Sequence, residues 1–424
     1  MRFRSGLRIA ALIALALWAV WWTIALVRLE LPLAGRMSFA PMFGCDFTSQ
    51  SDYAARTWSG MADPYGDHRH LFHYPPIVIR LFAWTPYLSS MTALRIWVVV
   101  LALLTIAGVA VACETRKELR LEVPPLAVAL ACVLVTFPVV FALERANFDL
   151  ITLAAILLAL RLERRGGAFA EIAAGVVLSV GPWVKIYPGL IGVALLALRQ
   201  YRVLLGFLGG GIAIGLAAPA ETLRSFEVLR LAIERSRDAP FGPWSHSLSL
   251  AWLRIGDAAA QHGIGALARV PSSLAAVAIL SPILVWVSWH VYRCQERRRL
   301  TYPLLLWVVA LGSFVPVIAN DYSLVFLPLA MVAIYSLRDS PLVHAAVALL
   351  LLPFLPIALP IHPYLLLLFK LGGAFAVGAM LVRRARELGG FAPTPAVAAQ
   401  GAAVDAGAGG AAAGGGAFSA TVKL

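Results

Sequence analysis

The chain has 424 residues, of which 61% are hydrophobic and 13% charged, and its mean hydropathy is +0.83. Soluble domains are about half apolar and about a quarter charged, so this composition excludes a soluble globular protein. The apolar runs are nearly continuous and do not alternate with polar residues, which excludes an outer-membrane barrel. The sequence therefore predicts an all-α, polytopic helical membrane protein.

The apolar runs are numerous enough for many membrane crossings. A helix needs roughly 20 apolar residues to cross a hydrocarbon core of ~30 Å, so the sequence predicts about 12 transmembrane helices. The predicted spans lie at 9–27, 93–113, 124–143, 150–162, 169–184, 188–199, 203–218, 270–290, 302–318, 322–337, 342–361 and 364–382.

The first predicted span, 9–27, follows a basic N-terminus and is either a signal anchor or a cleaved signal peptide. The run is longer than a usual signal-peptide core, which favours the anchor. The N-terminus is then cytoplasmic, and nearly all basic residues of short loops fall on that side, as the positive-inside rule expects. These basic clusters are Arg116/Lys117/Arg120, Arg161/Arg164/Arg165, Arg199/Arg202, Arg293/Arg297/Arg298/Arg299, Arg338 and Arg383/Arg384/Arg386.

This charge pattern predicts a multi-pass protein of the plasma (inner) membrane with both termini in the cytoplasm. The net charge of +13 does not indicate a nucleic-acid partner. The basic residues lie in small groups beside apolar runs, where the lipid bilayer and its anionic headgroups explain them.

The spans belong to one predicted transmembrane domain, residues 1–390, with long outer loops at 28–92 and 219–269. Within the first loop, the apolar piece at 74–84 is too short to cross and predicts a juxtamembrane helix on the outer face. The Ala/Gly-rich segment 391–424 predicts a disordered cytoplasmic tail. Because the long loops face outward, any chemistry is expected there.

Asp46 opens the most informative segment of the first outer loop. Apolar and aromatic residues from Tyr53 to Met61 follow helical spacing, which predicts an amphipathic helix beginning soon after Asp46 and ending near Gly60. Asp46 then has two interpretations: an N-cap of that helix, or a general base at the level of a lipid headgroup.

Arg145 and Lys185 are the basic residues of the short outer loops, and both lie beside short spans. A charge at this depth is costly unless it has a partner. Arg145 is expected either to form an ion pair with Glu144 or Asp149 or to contact a ligand. Lys185 has no carboxylate among its immediate neighbours, which favours contact with an anionic ligand.

Several other polar side chains of the outer face are candidates for substrate contact. His246 lies in the second outer loop and is expected either to orient a phosphate or sugar hydroxyl or to lie in the interface beside Trp244. Asn147, Asn320 and Tyr322 begin predicted helices and are expected to bind sugar, with helix capping as the alternative for both asparagines.

Metal and cofactor sites are not expected. His68, His70 and His73 supply suitable ligand types, but their spacing defines no coordination geometry, and contact with phosphate or the interface is the other interpretation. The four cysteines are scattered without a metal-binding or disulfide pattern.

Motifs spread over most of 40–330 have a recognisable order. In chain order they are Asp46-Phe47, Tyr53-Ala54, Asp63-Pro64-Tyr65, Tyr74-Pro75-Pro76, Glu144-Arg145-Ala146-Asn147, Lys185-Ile186-Tyr187-Pro188 and Ser245-His246-Ser247-Leu248. This arrangement resembles that of GT-C glycosyltransferases, and most of all glycosyltransferase family 87 (GT87), which contains the polyprenyl-phosphate-mannose-dependent mannosyltransferases. The chain departs from the family in having Asn320-Asp321-Tyr322 where members often carry a histidine motif.

The resemblance implies an inverting transferase that moves a sugar, mannose above all, from a polyprenyl-phosphate donor to a lipid-linked or cell-envelope glycan acceptor on the outer face. It implies that Asp46 is the base and that Lys185 contacts the donor phosphate. A polyprenyl phosphate leaves as an anion, so the enzyme needs cations beside it, which Arg145 and Lys185 supply.

Two other functions fit the same composition. A polytopic transporter or lipid flippase also has about 12 spans, but the sequence shows no convincing internal repeat and its polar groups collect at the outer ends of spans. A non-catalytic assembly subunit is the third possibility. No glycine-rich phosphate loop and no DxD motif occurs on the cytoplasmic side, which favours a lipid donor over a nucleotide sugar.

Overall fold

A computed structural model of the protein describes residues 44–66, 72–134, 136–236, 245–264, 269–336 and 362–389, with a few isolated positions elsewhere. These residues form helices joined by turns, with an isolated bridge between Ser245 and Asn320, so the predicted all-α class is confirmed. The predicted spans 9–27 and 342–361, the tail 391–424 and the side chains of His68 and His70 lie outside the described residues.

The α-helices are numbered here in chain order. They are α1 (Tyr53–Ser59), α2 (Pro76–Leu81), α3 (Ser90–Glu118), α4 (Leu126–Leu134), α5 (Phe137–Glu144), α6 (Leu150–Glu163), α7 (Ala168–Leu178), α8 (Val180–Val184), α9 (Ile191–Ala197), α10 (Tyr201–Leu216), α11 (Pro219–Ser236), α12 (Leu248–Gln261), α13 (Ser272–Arg293), α14 (Thr301–Gly312), α15 (Phe326–Ile334) and α16 (Pro363–Leu388). A π-helical turn at Phe47–Asp52 precedes α1, and a 3₁₀ turn at Asp321–Val325 precedes α15.

Three of the described helices, α3, α13 and α16, are long and apolar enough to cross a membrane, and the number reaches five if each bent pair is one span. The bent pairs are α4 with α5, and α10 with α11, which turn by 92° relative to each other where Pro219 begins α11. Proline restrains the residue before it from helical geometry, which explains this second break. The count of about 12 spans stays a prediction.

The first outer loop forms the short helices that the sequence predicts. The helix α1 ends at Ser59 with Gly60 as its C-cap, and α2 replaces the longer juxtamembrane helix predicted at 74–84. Val78, Ile79 and Phe82 of this segment are buried, so it packs on the bundle.

Close packing of α7 on α10 depends on glycine. A Cβ atom at Gly175 would lie 1.9 Å from the carbonyl oxygen of Val203, and one at Gly206 would lie 2.1 Å from that of Ile172. Small residues let two helix backbones approach in this way. The contact fixes α7 and its continuation α8, which ends immediately before Lys185.

The bundle has two chemically different ends. The carboxylate end, defined by Asp46, Asp149 and Asp321, lies where α3, α6 and α15 begin. The arginine end, where α3, α13, α15 and α16 finish, gathers basic clusters that are far apart in the chain. Its contacts include Arg164 with Glu114 (2.9 Å), Arg299 with the Glu118 carbonyl (2.9 Å), Arg297 with the Leu198 carbonyl (3.0 Å) and Arg386 with His290 (3.0 Å).

Candidate functional site

Asp46 lies where the first outer loop packs against the end of α5. Gly44 adopts a left-handed φ of +70° and donates its backbone N–H to the Glu144 carbonyl at 2.7 Å. The Asp46 N–H bonds the Arg145 carbonyl at 3.2 Å, so the two segments run against each other. The Asp46 side chain makes no capping bond to the turn that follows it, which removes the N-cap interpretation.

The Asp46 carboxylate instead accepts hydrogen bonds from residues about a hundred positions later in the chain. Arg145 donates from Nε to Oδ1 at 2.9 Å and also places Nη2 on Oδ1, and Asn147 donates from Nδ2 to Oδ2 at 2.6 Å. The intervening Ala146 has a φ of 50°, a left-handed turn that lets both neighbours reach Asp46. Arg145 therefore forms an ion pair with Asp46, a partner that the sequence did not indicate.

Asp149 forms a second carboxylate centre directly beside the first. It is fully buried, lies 3.6 Å from the Lys185 ammonium through Oδ1, and accepts 2.7 Å from the Ser323 hydroxyl through Oδ2. Asn147 links the two centres, because its Oδ1 accepts the Asp149 N–H at 2.8 Å while its Nδ2 donates to Asp46. Lys185 therefore has a carboxylate partner, which comes from another segment of the chain.

Aromatic rings enclose the Lys185 ammonium. Its Nζ lies 5.2 Å from the Tyr74 ring centroid and 5.1 Å from that of Phe148, and it donates to the Tyr74 hydroxyl at 3.3 Å. His73 stacks on Tyr74 with centroids 4.3 Å apart, so this predicted residue borders the site. Burial raises the pKa of Tyr74, and Lys185 opposes that rise, so the phenol stays neutral and keeps its proton.

His246 belongs to a buried cluster beside these residues. Its Nε2 lies 2.9 Å from the Ser313 hydroxyl and its Nδ1 lies 3.3 Å from Asp321 Oδ1, while Lys370 contacts Asp321 Oδ2 at 2.7 Å. His246 is fully buried and so does not lie in the interface, and Trp244 lies outside the described residues. Burial lowers the pKa of His246, which keeps the imidazole neutral.

The buried cluster is tied to the second outer loop and to the Asp149 centre. Ser245 bridges Asn320 in an antiparallel pair, and the His246 N–H bonds the Ala319 carbonyl at 3.2 Å. Asn320 makes no side-chain capping bond to the 3₁₀ turn after it. Ser323, in that turn, donates to Asp149, so the two clusters are continuous. The Tyr322 side chain lies outside the described residues.

The structure thus brings together Asp46, Arg145, Asn147, Lys185 and His73. His246 lies in the adjoining buried cluster, where Asn320 pairs with Ser245. Sequence reasoning missed the roles of Asp149, Asp321, Ser323 and Lys370. Lys370 carried a usable signal, because it is the lone charged residue of the apolar run 364–382 and such residues are seldom there without a partner. Ser323 carried no comparable signal in the sequence.

Of the three histidines considered for metal binding, His73 is described by the structure, whereas His68 and His70 are not. Within the described part of the chain, no group of three or more His, Cys, Asp or Glu side chains is placed to hold a metal ion. The expectation of a metal-free enzyme stays a prediction. Cys45, beside Asp46, is buried, and burial raises the pKa of its thiol to about 11, so it reacts slowly as a nucleophile.

Comparison with known proteins agrees with the resemblance of the sequence motifs. The family model of glycosyltransferase family 87 matches residues 72–318, more than half of the chain. The match includes Arg145, Asn147, Lys185 and His246, whereas Asp46 precedes it. No curated protein and no solved structure matches the chain.

Proposed function

Because the chain belongs to glycosyltransferase family 87 and is a membrane glycosyltransferase, we propose that it transfers mannose from a polyprenyl-phosphate donor to a lipid-linked or cell-envelope glycan. The observation that carries this proposal is the Asp46 carboxylate held between Arg145 and Asn147, with Lys185 and Asp149 immediately beside it. This arrangement offers one base and two cations at the same end of the bundle.

Asp46 acts as the general base. The acceptor hydroxyl attacks the anomeric carbon of the sugar, its proton passes to Asp46, and the bond between that carbon and the phosphate oxygen breaks with inversion. Arg145 occupies Oδ1 and Asn147 takes one position on Oδ2. Each carboxylate oxygen has about two lone-pair positions, so Oδ2 keeps one for the acceptor hydroxyl.

Lys185 and Arg145 stabilise the departing polyprenyl phosphate. The leaving group accumulates negative charge as the glycosidic bond breaks, and fixed cations beside it lower the energy of that state. Their side chains are 14% and 22% exposed, so both are partly accessible to a ligand, unlike the buried Asp149. Asp149 and Tyr74 hold the Lys185 ammonium in place before the donor arrives.

Asn147 is a positioning residue, because it fixes the orientation of Asp46 and Asp149 together. His73 borders the donor path beside Tyr74. His246 and Asn320 act indirectly, because they attach the second outer loop to the turn that carries Ser323. Tyr322, in the same 3₁₀ turn as Ser323, is assigned contact with the sugar.

The same proposal includes the membrane arrangement. The protein resides in the plasma (inner) membrane with both termini in the cytoplasm and the carboxylate end facing outward. The gathering of the basic clusters at the arginine end supports it, because cytoplasmic ends of membrane proteins carry an excess of Lys and Arg. The reaction needs no metal or other cofactor.

The donor class is the sharpest test. Purified full-length protein reconstituted in vesicles is given radiolabelled polyprenyl-phosphate mannose or the nucleotide sugar GDP-mannose, each with a lipid-linked glycan extract and a metal chelator. We expect transfer from the lipid donor alone, and a rate lower by about 10²–10⁴-fold for the Asp46→Asn protein prepared in parallel. Transfer from the nucleotide sugar in the absence of any lipid donor would refute the proposal.

A further inference from the structure

A pocket of about 290 Å³ lies at the arginine end, far from the candidate site. It is lined by Trp289, His290 and Arg293 from the last turns of α13 and by Arg386 from the last turn of α16. Trp289, Arg293 and Arg386 are exposed, so the pocket is open to its surroundings. Its volume equals that of about ten water molecules in the liquid, which is enough for a phosphate group and its neighbouring atoms.

The hydrogen bonds around His290 define the charge of this pocket. Arg386 Nη2 lies 3.0 Å from His290 Nε2, and His290 Nδ1 lies 2.9 Å from the Trp286 carbonyl. A guanidinium only donates, so Nε2 accepts and Nδ1–H donates to the carbonyl. The positive charge of the pocket therefore comes from Arg293 and Arg386.

Arg386 differs from the arginines nearby in how its charge is balanced. Arg383 and Arg384 both pair with Asp339 and Glu387, and Arg299 pairs with Glu296 at 3.0 Å. Arg386 makes no ion pair with any carboxylate in the part of the chain that the structure describes. Its guanidinium has five N–H donors and contacts the His290 imidazole where its neighbours contact carboxylates, so its charge is available to an anion.

The position of the pocket along the helices indicates the source of that anion. The helix α13 has 22 residues, about 33 Å at 1.5 Å per residue, which matches the hydrocarbon core of a bilayer. The last turns of α13 and α16 then lie at the level of the lipid headgroups. Trp289 and Tyr292 stack with centroids 6.3 Å apart at this level, where aromatic residues concentrate in membrane proteins.

We propose that this pocket binds the phosphate of an anionic phospholipid headgroup. Basic pockets between transmembrane helices on the cytoplasmic side suit such headgroups, because arginine binds phosphate through paired N–H donors. The Trp289 ring, which has the Arg293 guanidinium 5.7 Å from its centroid, provides an apolar wall for the glycerol and the start of the acyl chains. This inference is independent of the proposed donor and acceptor.

Native mass spectrometry of the full chain in detergent tests the proposal. Phosphatidylglycerol and phosphatidylcholine of equal chain length are titrated into wild type, Arg386→Ala, Arg293→Ala/Arg386→Ala and, as a matched control, Arg165→Ala. Arg165 is also an exposed arginine of a predicted cytoplasmic loop, but it lies outside the pocket. We expect phosphatidylglycerol to bind preferentially, with its affinity reduced about fivefold by each pocket arginine removed and unchanged in the control.

Two further measurements keep the result interpretable. Arg386→Lys retains the charge and should keep most of the affinity, which separates lost charge from a folding defect. Millimolar inorganic phosphate should not displace the lipid, and if it does, the site binds free phosphate and the lipid assignment falls. Equal losses in Arg386→Ala and Arg165→Ala, or equal binding of phosphatidylcholine, would overturn the proposal.

Discussion

At the carboxylate end, Arg145 and Lys185 lie against carboxylates and keep 22% and 14% of their side-chain surface exposed. At the arginine end, Arg116 and Arg384 are buried and bond backbone carbonyls at the end of α15. Arg116 donates to the Val332 and Tyr335 carbonyls at 2.8 and 2.7 Å, and Arg384 donates to the Ile334 carbonyl at 3.0 Å.

This difference in partners and exposure shows why basic side chains of equal charge have different roles at the two ends. The last carbonyls of a helix lack intrahelical partners and carry partial negative charge, so buried guanidinium groups there complete the fold. The cations of the carboxylate end balance side chains that are themselves reactive, and they are partly accessible. We therefore expect substitutions at the carboxylate end to change turnover or donor binding, and substitutions of the buried arginines at the arginine end to change stability.

The largest effect is expected for the base. Asp46→Asn keeps the size of the side chain and a hydrogen-bonding oxygen for Arg145 but loses basicity, so turnover should fall by about 10²–10⁴-fold with donor affinity nearly unchanged. Initial rates with the lipid donor measure both quantities.

Asp52→Asn is the matched control for Asp46. Asp52 is a buried carboxylate of the same loop that bonds Arg56 at 2.9 Å and Ser90 at 2.6 Å. Its substitution should reduce thermal stability while the folded fraction keeps its turnover. Full activity in folded Asp46→Asn protein would return Asp46 to a structural role.

At the arginine end, Arg384→Ala should lower the free energy of unfolding by about 3–5 kcal/mol, because it leaves the buried Asp339 carboxylate less compensated. Arg383 shares the Asp339 partner but is 38% exposed, so Arg383→Ala should cost about 1 kcal/mol or less. Denaturant unfolding in detergent measures the stability of each variant, and initial transfer rates of the folded protein measure its turnover. A loss of turnover in folded Arg384→Ala protein would contradict the division between the ends.

Lys185→Ala should weaken donor binding about tenfold to a hundredfold, the cost of a lost charge-assisted contact. Lys185→Arg should recover part of it, because the guanidinium presents its charge in a different geometry. Lys117→Ala, at an exposed position of the arginine end, is the control for lost positive charge and should bind donor normally.

The Lys185 substitution also leaves the Asp149 carboxylate buried without its cation. The double substitution Lys185→Met/Asp149→Asn removes both charges and should regain thermal stability while donor binding stays weak. Recovery of donor binding in the double variant would show that Lys185 acts only through the fold.

The smallest effect concerns pH. Burial lowers the pKa of His246 in the folded protein, so below about pH 6.5 the unfolded chain binds more protons there than the folded chain does. The stability from neutral His246 is present above that pH and is lost as the pH falls below it, by at most about 1.4 kcal/mol per pH unit.

Melting temperatures measured between pH 7.5 and pH 5 check this slope. Asp321, Ser313 and Lys370 all face His246, so His246→Gln should flatten its part of the slope without moving those groups. The exposed His262 supplies the control, and His262→Gln should keep the wild-type slope. An unchanged slope in His246→Gln would place the titration elsewhere.

The sequence alone predicted the helical membrane class, the grouping of basic residues at one end and the outer-loop residues Asp46, Arg145, Asn147 and Lys185. These predictions depend on composition, apolar run length and local charge, which are properties of neighbouring residues. The helix α1 and its end at Gly60 were predicted for the same reason, because spacing and a glycine stop are local signals.

Only the tertiary structure determined which basic side chain pairs with which carboxylate. Asp46 pairs with Arg145, which lies 99 positions later in the chain. Lys370 of α16 pairs with Asp321, which precedes α15. Ion pairs depend on distance in space, and the packing of α5, α6, α15 and α16 sets those distances. His246 shows the same limit: its sequence neighbours left substrate contact and an interfacial position equally open, whereas folding of the second outer loop onto 319–321 buries it.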